Sequence, residues 1–241
     1  YQEEFQSFST EQWEAYLSDV RITSDNYDTI LSLDFPHFCT HATDGCGGVN
    51  GWCYTFQGSH ARPAHHRKVA MIDLAARKVP KLIASKVIDE VNRKFQALKL
   101  SNPNLRYSGS GEVTVDHLPF LKMIHQGGVH LWGFTKDLDI AIKLRQIGAG
   151  VIFSCDKTTS SDQIKLSNKL SIPIGYTSIG IDDRPPVDAL VTFPLHRSGK
   201  VQEVVKSKSL CPKLVEEFLN LTRSPGTCQN RCNRCHLRTG I

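Results

Sequence analysis

The sequence predicts an α/β fold: a partial (β/α)6 barrel with a small Cys-rich module at its C-terminal end. Three observations lead there. Beyond residue 104, short apolar runs alternate with amphipathic stretches of roughly ten residues, the pattern of strands joined by helical crossovers. Such units pair in parallel and wind right-handedly, and six strands fall short of a closed eightfold barrel. A doubly wound open sheet is the alternative. Second, polar or ligand-type residues follow every predicted strand, which is where parallel α/β folds gather their chemistry. Third, the eight cysteines form two clusters at opposite ends of the chain, with Cys155 alone between them.

The chain divides into an N-terminal helical extension (1–28), the barrel (29–205) and the Cys-rich module (206–241). Ser9 to Asp19 reads as a short helix, because Ser9 and Gln12 have the spacing of a capping box. "TILSLDF" (29–35) alternates apolar and polar residues as a strand does. Residues 62–99 form a long helical tract broken at Pro80, with Val79, Leu82, Ile83, Val87, Val91 and Phe95 at helical spacing. Further strands are expected at 105–108, 129–134, 150–155, 172–179 and 188–194, and helices at 115–126, 137–147 and 160–170. One more helix, 212–222, opens the C-terminal module.

The strand exits then carry, in order, Cys39, Cys46 and Cys53; "GSGE" (Gly109, Ser110, Gly111, Glu112); Thr135 and Lys136; Cys155, Asp156 and Lys157; Asp182, Asp183 and Arg184; and His196 with Arg197. Lys136, Lys157 and Arg184 suit the carboxylate or phosphate of a ligand, or else face solvent. Cys155 reads as a buried, inert thiol, since free cysteine packs like a small hydrophobe. His65 and His66, in "HARPAHHRK", are metal ligands, proton carriers or an exposed helix start.

Composition narrows the class. No run approaches the ~20 apolar residues of a membrane span, so no membrane partner and a cytoplasmic location are expected. Residues 1–34 hold eight acids and one base, residues 62–99 ten bases and three acids, and residues 206–241 seven bases and two acids. Basic tracts mark either nucleic-acid contact or a solvated helix face, and the last also balances thiolates around a metal. The sequence lacks a G-x-x-x-x-G-K-[ST] phosphate loop and a G-x-S-x-G nucleophile elbow, which removes two large enzyme classes.

The cysteines carry the chemistry. Cys211, followed by Cys228, Cys232 and Cys235, makes a four-thiolate site for zinc or an iron–sulfur cluster, in which His236 can replace one cysteine. Cys39, Cys46 and Cys53 are separated by six residues each in a glycine-rich loop. Three thiolates on a 4Fe–4S cluster leave one iron open for a substrate or cofactor, as catalytic zinc keeps an open position. A closed site completed by His37, His41 or Cys155 is the alternative.

A strand, a three-cysteine loop ending in Cys53-Tyr54, and "GSGE" after the next strand together resemble the radical S-adenosylmethionine superfamily. More narrowly, "LRYSGSGE…GVHLWGFTK" with a Cys-rich C-terminus is similar to phage and bacterial radical-SAM-like proteins. The usual spacing of that family is C-x3-C-x2-C, which here occurs only at Cys228, Cys232 and Cys235. The resemblance implies that Cys39, Cys46 and Cys53 hold a 4Fe–4S cluster that binds S-adenosylmethionine. It implies contacts to that cofactor from Gly109, Ser110, Gly111 and Glu112, with Ser154, Asp156 and Lys136 nearby. It also implies an auxiliary 4Fe–4S cluster on Cys211, Cys228, Cys232 and Cys235, and an electron donor such as a ferredoxin or flavodoxin. The alternatives are a zinc- or cluster-containing module that contacts nucleic acid or protein, and a non-radical iron–sulfur protein that transfers electrons or uses the open iron as a Lewis acid.

Overall fold

The computed structural model describes residues 2–25, 31–36, 62–178 and 185–194. Within them lie helices α1 (Gln2–Gln6), α2 (Thr10–Asp19), α3 (Pro63–Lys78), α4 (Pro80–Ala97), α5 (Leu118–Gln126), α6 (Leu138–Gln146) and α7 (Ser161–Lys169). The strands are β1 (Ser24–Asp25), β2 (Leu31–Ser32), β3 (Asn104–Arg106), β4 (His130–Thr135), β5 (Gly150–Asp156), β6 (Ile174–Ser178) and β7 (Val191–Pro194). Both cysteine clusters, Asp182 to Arg184, His196, Arg197 and the expected helix 212–222 lie outside the described residues.

The seven strands form one mixed sheet whose spatial order is their order in the chain. β2 to β7 pair in parallel, each with the next, and β1 adds a short antiparallel edge to β2. The fold is thus α/β and mostly parallel, as expected. A doubly wound sheet reverses its order at a switch point, and this order has no reversal. The seventh strand, β1, has only two residues, too few to leave a periodicity in the sequence.

Local chemistry sets the helix boundaries. Ser9 caps α2 with both halves of the capping box, its hydroxyl accepting from Gln12 N–H and Gln12 Oε1 accepting from Ser9 N–H. The basic tract breaks at Val79, because Pro80 has no N–H to continue α3 and instead starts α4. Asp137 accepts from Asp139 and Ile140 N–H to start α6, and Ser160 does the same for Gln163 at α7.

One sheet face builds the core. Leu31, Leu33, Leu105, Tyr107, Leu131, Val151, Phe153 and Ile174 share a single buried cluster with side chains from α1 to α6. Gly133 makes room for the Tyr107 ring, since a Cβ there would sit 2.7 Å from it. The Tyr107 hydroxyl donates to Gly150 O across the sheet at 2.9 Å. Strand register places Ser32, Arg106 and Trp132 in one row on the opposite face, with Phe134 beside Ile152 further along. None of these joins the core cluster.

The charge asymmetry closes on itself. Arg67 pairs with Glu4, Lys94 with Asp25, and Lys78 and Lys86 donate to the carbonyls of Gln6 and Ser18. The acidic N-terminal segment therefore lies on the basic helices α3 and α4. Phe5, Trp13, Leu17 and Ile22 carry that segment into the common core. Glu90 of α4 fastens the end of it, accepting from Ile22 N–H, Thr23 N–H and the Thr23 hydroxyl at 2.8–3.1 Å.

Candidate functional site

The clearest polar construction stands where β2 leaves the sheet. Residues 33–36 continue beyond β2 and bind the "GSGE" turn along their whole length. Leu33 N–H donates to Arg106 O (3.0 Å), Gly109 N–H to Leu33 O (2.6 Å), Phe35 N–H to Ser110 O (2.9 Å) and Glu112 N–H to Pro36 O (3.4 Å). Pro36 precedes Cys39 by three residues. The glycine-acid turn and residues 33–36 are therefore held side by side at the exits of adjacent parallel strands.

The glycines of the turn answer to this close approach. A Cβ on Gly109 would lie 2.7 Å from Ser32 Oγ, and one on Gly111 only 1.9 Å from Phe35 O. Gly111 also has φ +73, the left-handed region that glycine occupies freely. Their requirement comes from chain packing rather than from a bound group. Ser110 is likewise engaged, its hydroxyl donating to Asp34 Oδ1 at 3.0 Å. Of the four residues, the half-buried Glu112 carboxylate is the one suited to a cationic ligand group.

Asp34 is the hub that the sequence reading missed. Its side chain is buried, and its two oxygens receive the hydroxyls of Ser110 and Ser24. Each serine has a nitrogen behind it: His65 Nε2 lies 3.5 Å from Ser110 Oγ, and Lys68 Nζ lies 3.0 Å from Ser24 Oγ. Burial pulls the Lys68 ammonium below its usual range, while the carboxylates of Asp34 and Glu90 hold it up. Two hydrogen-bonded chains thus converge on one carboxylate, from the first turns of α3 to the exit of β2. His65 and His66, expected as metal ligands, proton carriers or an exposed helix start, are in the first turn of α3 but half-buried rather than exposed. The sequence marks Asp34 only as a polar position in an alternating strand; its burial, which demands partners, shows in the fold alone.

A second group lies directly behind the turn. His117 is buried and accepts Thr114 N–H at Nδ1 (3.0 Å), which places its proton on Nε2, donating to Asp73 Oδ1 at 2.9 Å. Asp73 is buried, which raises its pKa, but the His117 hydrogen bond and the Arg77 guanidinium outweigh that and lower it. The His117 ring also packs at a tilt on Phe35, ring centroids 4.4 Å apart, tying the segment before the cysteine loop to α3.

The third group involves Lys136, Asp156 and Ser154. Lys136 Nζ meets Asp156 Oδ2 at 2.7 Å, while Thr158 N–H and hydroxyl occupy Oδ1. The two expected ligand contacts are thus brought together as an internal ion pair across the exits of β4 and β5. Ser154 is half-buried on the face opposite the core, and Lys157 is exposed. Cys155 packs in the core as expected, and burial pushes its thiol up to about 12. Among the described residues no group of His, Cys, Asp and Glu could hold a metal, and no helix is long and apolar enough to cross a membrane. A scan against protein-family models, a search of curated proteins and a search of solved structures each found no match to this chain.

Proposed function

We propose that this chain is an iron–sulfur enzyme of the radical S-adenosylmethionine type, built on a partial (β/α)6 barrel. The observation that supports it most is the hydrogen-bonded union of "GSGE" with residues 33–36, which lead straight into Cys39. A sequential parallel order supports the barrel, because right-handed crossovers then set every helix on one face and let the sheet curl.

Cys39, Cys46 and Cys53 would hold a 4Fe–4S cluster, and Cys211, Cys228, Cys232 and Cys235 an auxiliary one. The fit is tested at Glu112, whose carboxylate after a tight turn matches an ammonium group through a charge-assisted bond. When bound, the cluster and S-adenosylmethionine supply one-electron cleavage of a sulfonium and abstraction of a hydrogen atom. The protein's part is to orient and to exclude water. Glu112 would hold the amino end of the cofactor. The glycines let the turn lie close against β2, and Asp34 with Ser110 keeps its register. The reductant is a one-electron donor such as a ferredoxin or flavodoxin, in a cytoplasmic setting.

Iron and sulfide counted on protein purified without oxygen test the cluster assignment. We expect about eight irons per chain, falling to about four in Cys46→Ala, as two 4Fe–4S centres require. Zinc without iron in anaerobic protein refutes it.

A further inference from the structure

The end of the N-terminal segment reaches the candidate site through side chains rather than through the sheet. β1 has two residues, and so short an antiparallel ladder on β2 contributes little by itself. Three side chains from other elements hold the segment instead. Glu90 of α4 takes the Ile22 and Thr23 N–H groups and the Thr23 hydroxyl. Lys68 of α3 donates to Thr23 O at 3.3 Å and to Ser24 Oγ at 3.0 Å. Asp34, beyond β2, accepts the Ser24 hydroxyl at 3.1 Å on one oxygen and the Ser110 hydroxyl at 3.0 Å on the other. Ser110 O in turn accepts from Phe35 N–H at 2.9 Å. One carboxylate, 3% exposed, therefore joins the N-terminal segment to the "GSGE" turn.

With residues 22–25 seated, each serine gives its single hydroxyl proton to Asp34. Lifting them takes the Ser24 hydroxyl from Asp34 and both acceptors from Lys68. A buried carboxylate stripped of a donor is costly, so water must follow, and water then competes with Ser110 for the same carboxylate. We propose that residues 22–25 are a strap whose seating orders the "GSGE" turn, the two opening and closing as one unit distinct from the central sheet. Whatever loosens this segment from α3 and α4 then loosens the turn as well. The fastening involves no cysteine, so it acts with or without a bound cluster.

Native-state hydrogen exchange on the full wild-type chain, in rising urea below the unfolding transition, tests this without a variant. The amides of Ile22 and Thr23 report the strap, and those of Phe35 and Gly109 report the turn. All four should share one opening free energy and one urea dependence, both smaller than those of the β5 amides. Separate values for strap and turn overturn the proposal, and so does exchange of all four only together with β5. In Ser24→Ala, Phe35 and Gly109 should exchange at least about tenfold faster than in the wild type, because Asp34 has lost a charge-assisted donor. Rates at those two amides that do not change in this variant also overturn it.

Discussion

Gly111 shows how much one missing methyl group can decide. Alanine there meets both a left-handed φ of +73 and a contact of 1.9 Å with Phe35 O, a backbone atom that cannot rotate away. Gly111→Ala should lower stability by about 3 kcal/mol or more, seen as an earlier urea midpoint. A midpoint equal to the wild type would mean that the turn does not lie against β2. Cys155 gives a prediction of opposite character. With its thiol buried and pushed up to about 12, it stays a neutral thiol near pH 8. Alkylation mapped by mass spectrometry should miss Cys155 in native protein at that pH and label it once the chain is unfolded. Labelling in the native state would place it in contact with solvent.

Between elements, the stability of the candidate site depends on how α3 grips the segment before the cysteine loop. The Asp73–His117 bond joins α3 to the turn after "GSGE", and His117 in turn packs at a tilt on Phe35. The Asp73 carboxyl is held below its ordinary 3.8, so its contribution is present above that value and fades as pH falls through the lower folded value. Asp73→Asn should therefore be less stable than the wild type at neutral pH, with the gap closing below about pH 4. Urea melts across that range test this, and a gap of constant size would show that the carboxylate's charge plays no part. The helices and strands from 62 to 178 were legible in the sequence, because periodicity, proline and caps are local signals. Residues 31–35 were legible as a strand but not in their environment. Alternation marks Ser32 and Asp34 only as polar strand positions, whereas both are buried and Asp34 takes the hydroxyls of Ser110 and Ser24. Those partners lie far apart in the chain, and only the folded register brings them together.

Across the whole molecule, the acidic N-terminal segment and the basic helices looked in the sequence like separate features with separate partners. In the fold they meet, through the ion pairs Glu4–Arg67 and Asp25–Lys94 and the carbonyls that Lys78 and Lys86 reach. Charge counting along a sequence cannot see that match, because the match is made in space. Lys136 and Asp156 were singled out separately as strand-exit residues, and their pairing likewise belongs to the register of β4 and β5. What the fold adds is the fastening of the acid-bearing turn to residues 33–36, which precede Cys39 in the sequence. The most direct test is 5′-deoxyadenosine formed from S-adenosylmethionine by reduced, anaerobically purified full chain, measured beside Glu112→Gln and Cys46→Ala. A radical enzyme of this design forms it in the wild type, at least about tenfold less in Glu112→Gln, and not at all in Cys46→Ala. No product from protein that carries iron and sulfide, or undiminished product from Cys46→Ala, rules that design out.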